Sequence, residues 1–141
     1  MDTTWPAVIV VDTNIVCYRW MPSSHSAAVD KLLANDADWI APLLWRSEFR
    51  NALAGAIRQN HVTLELANGI AERAESHFAN REFAVSSQAV LALVSNSLCS
   101  AYDCEFVALA AEQRLPLVTM DRQILHDFPD IAVSLQEFIC Q

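Results

Sequence analysis

Ala7-Val-Ile-Val-Val-Asp12-Thr13-Asn14 is the stretch on which the fold turns. Five apolar residues stand in a row, four of them β-branched, with no alternation of polar and apolar positions. A strand with one wet face would alternate. A continuous run of this kind fits a strand covered on both faces, as in the middle of a parallel sheet. Asp12 ends the run, and in open parallel sheets the ligand site lies outside the carboxyl ends of the strands, where strand order reverses. The same eight residues therefore give a fold class and a first candidate functional residue.

Outward from this strand, apolar spacing predicts a short helix over 15–20 stopped by Pro22, and a second over 24–35 with Ala28, Val29, Leu32 and Leu33 on one side. A short strand over 39–41 ends at Pro42. A long helix follows over 43–59, with Leu44, Phe49, Ala52, Leu53, Ala56 and Ile57 facing inward. Thr63 caps another long helix reaching about Ala79, so the two form a helical hairpin. Beyond it come a strand over 83–85, helices over 87–98 and 101–114, and a buried strand over 117–119 that runs into Met120-Asp121. A helical turn through Leu125, a strand over 132–133 and a closing helix over 135–139 complete the chain. Strands alternate with helices throughout, which predicts one α/β domain over 1–141 with a mostly parallel sheet covered on both faces.

Composition narrows the function. The chain has 141 residues, 53% of them hydrophobic and 18% charged, which excludes a disordered polymer. The only two glycines, Gly55 and Gly69, fall inside predicted helices, so neither a Gly-rich phosphate loop nor a dinucleotide turn can form. Net charge is −8, with a single lysine, Lys31, which excludes a broad basic nucleic-acid surface. Clustered carboxylates that gather a cation, which then meets phosphate, stay open. Cys17, Cys99, Cys104 and Cys140 form no Cys-x-x-Cys and read as buried thiols in a reducing compartment. The N-terminal stretch lacks a basic segment followed by a long apolar run, so a cytoplasmic protein without a membrane span is expected.

Four acids fall where the fold would bring them together. Asp12 and Asp121 end two strands; either could simply cap the helix that follows. Glu48 lies between Leu44 and Ala52 on the apolar side of its helix, where a carboxylate costs several kcal/mol unless its charge is offset. Arg46 is two residues away and faces elsewhere, which leaves a distant arginine or a bound cation. Asp103 fits a capping box in Ser100-Ala-Tyr-Asp103, yet it shares a face with Phe106 and Val107. Together the four describe one acidic pocket that repels itself unless a cation is present. Mg²⁺ suits such a pocket, because it takes one or two carboxylates directly and keeps water as its other ligands.

The strand-Asp12-Thr-Asn14 segment, Glu48 in Trp45-Arg-Ser-Glu-Phe-Arg-Asn-Ala52, Asp103 in Ala101-Tyr-Asp-Cys-Glu-Phe-Val-Ala-Leu-Ala110 and Asp121 in Leu117-Val-Thr-Met-Asp-Arg122 together resemble the PIN-domain nucleases. In length and motif order the chain looks most like the VapC-type toxins of toxin–antitoxin pairs. The resemblance implies a three-layer α/β fold with a protruding helical hairpin, and a Mg²⁺- or Mn²⁺-dependent endoribonuclease leaving 5′-phosphate and 3′-hydroxyl ends. It also implies a homodimer neutralised by a small cognate antitoxin, with the hairpin over 43–79 as the surface for an antitoxin helix. By that resemblance Asp12, Glu48, Asp103 and Asp121 are the catalytic and metal-binding quartet, and Asn14 and Thr119 support it. One departure is that the further acid or amide many relatives carry after the last aspartate is met here only by Gln123, which adds no charge.

For RNA the sequence offers Arg46 and Arg50 flanking Glu48, and Arg19 and Arg122 just past the two strand-end aspartates, with a solvated helix face as the alternative. Trp20, Trp39 and Trp45 read as packing, and His25, His61, His77 and His126 as surface residues. A haloacid-dehalogenase-like phosphatase would need an acid where Asn14 stands. A phospho-receiver domain would need a lysine after its last strand, and Lys31 is in an early helix. The other class that stays open is a PIN-like module that binds RNA or protein without cutting.

Overall fold

The computed structural model describes residues 8–34 and 38–140. Five strands, β1 (Val8–Val11), β2 (Asp38–Pro42), β3 (Glu82–Phe83), β4 (Leu117–Val118) and β5 (Ala132–Val133), form one parallel sheet in the order β3-β2-β1-β4-β5. The β-branched run is the central strand, and Ile9, Val10 and Val11 are fully buried. Each such side chain contributes about 1.5–3 kcal/mol by leaving water.

The chain leaves β1 toward β2 and β3 on one side and returns on the other as β4 and β5, so strand order reverses at the β1–β4 junction. Val11 pairs with Val118 in register, which sets Asp12 beside Thr119 at the carboxyl end of the sheet.

Eight helices surround the sheet among the described residues: α1 (Thr13–Trp20), α2 (Ser26–Ala34), α3 (Trp45–Arg58), α4 (Leu64–His77), α5 (Ser87–Ser95), α6 (Ala101–Gln113), α7 (Arg122–Asp127) and α8 (Leu135–Ile139). Helix α6 lies against β1, β2 and β4, and its run from Phe106 to Ala110 is buried throughout. Helix α1 meets α2, α3 and α4, and α2 meets α8. The hairpin expected over 43–79 is the α3–α4 pair, with Thr63 accepting from the Leu66 N–H as its cap. Asn60 and Asn80 take the left-handed backbone after the two helices, a conformation asparagine tolerates well.

Element limits differ from expectation for local reasons. Strand β3 ends at Phe83 rather than Val85, because its partner β2 stops at Pro42 and the Leu43 N–H makes the last ladder bond to the Phe83 carbonyl. Helix α5 ends at Ser95 rather than near Leu98: Ser95, Asn96 and Ser97 turn their side chains onto the Ala92 and Leu93 carbonyls, which competes with helix continuation. The expected strand start at Ala7 and helix end at Asn35 lie outside the described residues.

An aromatic cluster fastens the hairpin to the sheet. Trp39 and Trp45 are fully buried, and Trp45 packs on Phe78 with ring centres 4.6 Å apart. His77 belongs to this cluster, against Trp20, Trp39 and Phe78, and is half-buried rather than a surface residue; burial lowers its pKa, and the Arg81 and Arg19 charges add to that. His25 is half-buried and stacks on Tyr18, whereas His61 and His126 are exposed. All four thiols are free; Cys99 and Cys104 are buried, Cys17 is half-buried, and Cys140 is exposed, contrary to its reading as a buried thiol. Among the described residues no helix is long and apolar enough to cross a membrane.

Candidate functional site

Asp12 is held at two atoms. Its Oδ1 accepts from the Thr13 N–H at 2.7 Å, capping α1, and its Oδ2 accepts from the Thr119 hydroxyl at 2.7 Å. Thr119 in turn accepts from the Asp121 N–H at 3.0 Å, so one fully buried hydroxyl ties the ends of β1 and β4 together. Asn14 adds a second tie, its Oδ1 taking the Met120 N–H at 3.4 Å. Asp121 caps α7 through Oδ1 and the Ile124 N–H at 2.9 Å. Both strand-end aspartates are therefore helix caps, and capping uses one oxygen of each.

Glu48, in the first turn of α3, pairs with no arginine; its Oε1 accepts from the Thr13 hydroxyl at 2.7 Å. Thr13 thus serves Asp12 through its backbone and Glu48 through its side chain. Sequence reasoning missed this residue, although a hydroxyl directly after a strand-end aspartate was a usable signal. Asp103 stands in the capping box anticipated for α6, its N–H donating to Ser100 Oγ at 3.0 Å.

The four acids feel one another. Burial pushes Asp12 up to about 6; the Thr119 and Thr13 hydrogen bonds oppose this, and the charges of Glu48 and Asp103 add to it. Glu48 is raised by burial and by Asp103, against the Thr13 hydroxyl. Asp103 is raised by burial and by the Asp121 charge. Burial also drives the neighbouring Cys17 thiol up to about 11, with further push from Asp12 and Glu48. No lysine, arginine or histidine is among the groups that set the charge of Asp12, Glu48 or Asp103.

This donor set is all oxygen, which matches a hard divalent cation. Among the described residues no three His, Cys, Asp or Glu side chains stand close enough to hold one ion jointly.

The arginines are placed differently from expectation. Arg46 is committed to Glu82, with Nε and Nη2 donating at 2.6 and 2.8 Å, and to Glu75 at 3.1 Å. Trp45 Nε1 donates to the same Glu82 carboxylate at 2.7 Å. This network joins α3, α4 and β3, and leaves Arg46 without a free fork for phosphate. Its partners were invisible because Glu75 and Glu82 lie about thirty residues or more away in sequence. Arg50 lines a groove between α3 and α4. Arg19 is exposed and lies over the Trp20 ring, 5.3 Å from its centre. Arg122 is exposed at the start of α7, beside Asp121.

Asp127 meets His126 and accepts from the Leu98 N–H, from Gln123 and from the Cys99 thiol; together, in that order, these hold it down to about 2 against burial. Asp127 thereby ties α7 to the loop that leads into α6.

The PIN domain family model matches residues 9–131. The chain belongs to the PIN domain family. Members are in general nucleases. Three solved structures share the fold. PAE2754 from Pyrobaculum aerophilum superposes with a TM-score of 0.74 at 21% identity, covering 98% of this chain and 91% of that one. FitAcB from Neisseria gonorrhoeae gives 0.70 at 21% identity over 89% and 96% of the two chains. A toxin–antitoxin complex from Klebsiella pneumoniae gives 0.65 at 17% identity over 90% and 97%. No curated protein sequence matches. Asp12 and Asp121 follow β1 and β4 at the carboxyl end of the sheet, where strand order reverses, and the Thr13 hydroxyl brings Glu48 to Asp12.

Proposed function

We propose that this PIN domain is a divalent-metal-dependent endoribonuclease, and that it is the VapC-like toxin of a toxin–antitoxin pair. The observation that carries the nuclease reading is that Thr119 ties Asp12 to Asp121 and Thr13 ties Asp12 to Glu48, while the charges of Glu48 and Asp103 push on Asp12 and that of Asp121 pushes on Asp103. A module that only binds RNA gains nothing from four acids gathered in one place, because they repel phosphate. The toxin reading is supported by two similar folds, one a toxin–antitoxin complex by its description and the other FitAcB.

Asp12, Glu48, Asp103 and Asp121 would hold Mg²⁺ or Mn²⁺, which when bound supplies Lewis acidity and a water of lowered pKa. The chain's own part is to keep these carboxylates in place before an ion arrives. Thr119 fixes Asp12 and the backbone of Asp121, Asn14 fixes the segment between the strands, and Thr13 fixes Glu48. Outer partners of this kind set the orientation and basicity of ligands. Arg122 and Arg19 are the cations nearest in sequence to the two strand-end aspartates, and they are the ones offered to RNA phosphates. An antitoxin segment would dock along the α3–α4 hairpin, where Leu64 and Leu66 are exposed beside a groove lined by Leu53, Ile57 and Ala67. Homodimerisation and a cytoplasmic location belong to the same reading.

The test is cleavage of structured and single-stranded RNA by purified protein with Mg²⁺, Mn²⁺ or EDTA, beside Asp12→Asn. Cleavage only with metal, lost in the variant and leaving 5′-phosphates, is the expected result. RNA binding that is equal with and without chelator, with no cleavage in any metal, would establish the non-cutting module instead.

A further inference from the structure

Helices α5 and α6 pack against each other and, with the segment that follows β3, leave an open cavity of about 310 Å³. Val85, Ser87, Val90 and Leu91 line it from the β3–α5 segment, and Ala101 and Glu105 from α6. Its volume is at the lower end of the range for small-ligand sites, roughly 300–1,000 Å³. Four lining residues are apolar; the polar ones are Ser87 and Glu105.

Glu105 is half-buried, and no described residue hydrogen-bonds or ion-pairs with it. It stands two residues beyond Asp103 on α6, within electrostatic reach of Glu48. A half-buried carboxylate without a donor, at the end of an apolar cavity, is complementary to a flat group that brings its own N–H donors. It repels phosphate, so the backbone of a bound RNA stays with the cation that the four acids would hold, and a base is what can enter. Unstacked bases are read in this way, on their Watson–Crick edges. Guanine alone among the four presents two adjacent donors, N1–H and N2–H, spaced for the two oxygens of one carboxylate. Adenine and cytosine each offer a single amino group beside an acceptor, and the N3–H of uracil sits between two carbonyls.

Resting on the nuclease reading above, we infer that the α5–α6 cavity is a nucleobase subsite that seats an unstacked guanine next to the cleaved linkage, with Glu105 as the specificity-determining acceptor. Such a pair is bidentate and charge-assisted, and a site built for it rejects bases that leave the carboxylate unpaired.

Two measurements test this. The first uses uncharged nucleosides in EDTA, so that neither phosphate repulsion nor metal enters, with saturation-transfer NMR as the readout. Guanosine should bind the wild type, inosine (which lacks the N2 amino group) about tenfold more weakly, and adenosine more weakly still. Glu105→Gln should lose this ranking, and Ala101→Leu, which fills the cavity from an exposed helix start, should lose binding of all three. The second compares cleavage of oligoribonucleotides with Mg²⁺ that differ only by G, A, C or U at one position. Wild type should prefer the G substrate by about tenfold or more, and Glu105→Gln should not. The inference is overturned if guanosine and adenosine bind alike, if all four substrates are cut equally, or if Glu105→Gln weakens Mn²⁺ binding as Asp12→Asn does, which would make Glu105 a metal ligand. Absence of cleavage from every oligonucleotide would instead refute the nuclease reading, because the nucleoside titration reads the cavity independently.

Discussion

Replacing Asp12 by asparagine should make the metal-free protein more stable at neutral pH, although it removes a residue central to the proposed activity. The carboxyl is 7% exposed, and its pKa is raised from 3.8 to about 6, first by burial. Below about pH 4 both the folded and the unfolded chain carry it protonated, and no penalty exists. Between about 4 and 6 the unfolded chain releases the proton first, so stability falls as pH rises; above 6 the full penalty is present. A shift of about two units at about 1.4 kcal/mol each gives about 3 kcal/mol. Asparagine has no such titration. Its amide must meet the Thr119 hydroxyl, which already accepts from Asp121, so about 1 kcal/mol is returned in poorer hydrogen bonding. The expected net gain is about 2 kcal/mol at pH 7.5, or about 1 M in urea midpoint for a slope of about 2 kcal/mol/M. It should shrink toward zero by pH 4. Urea unfolding in EDTA, followed by circular dichroism at both pH values, reads it directly. A variant less stable than wild type at pH 7.5, or a difference that does not change with pH, would refute the reasoning.

The remaining perturbations separate site from scaffold. Thr119→Val removes the hydroxyl that bridges Asp12 and Asp121, and should weaken Mn²⁺ binding by about 10–100-fold, while Thr119→Ser keeps most of it; calorimetric titration of the two variants checks this. Arg46→Ala strips Glu82 of its fork and should cost about 1–3 kcal/mol in urea unfolding, since the side chain of Glu82 is only 13% exposed and keeps Trp45 alone. Arg114 ends α6 in the left-handed region at φ 55°, so Arg114→Gly should raise stability by about 0.5–1 kcal/mol in thermal unfolding.

What the sequence disclosed followed from local pattern. The β-branched run at β1 fits a central strand, and helix spacing and caps such as Thr63 and Ser100 are properties of neighbouring residues. The acids were legible because strand ends and helix faces are local, and parallel α/β folds gather strand ends at one edge. What stayed hidden depends on residues that are distant in sequence. The Thr13–Glu48 and Arg46–Glu82 bonds span 35 and 36 residues. Arg46 looked free because nothing near it in sequence could pair with it. His77 looked exposed because it ends a polar stretch of α4, and only the packing of α4 on Trp20 and Trp39 half-buries it. Glu105 drew no notice because its cavity exists only once α5 lies on α6.

If Asp12, Glu48, Asp103 and Asp121 act as one cation site, each should matter to a bound ion. Mn²⁺ binding by electron paramagnetic resonance at pH 7.5 tests it most directly, with wild type beside Asp12→Asn, Glu48→Gln, Asp103→Asn and Asp121→Asn, and with Asp38→Asn as a surface control. Each of the four should weaken binding about tenfold or more, and the control should not. Wild type that holds no Mn²⁺ at millimolar concentration, or four variants that bind as wild type does, would contradict it.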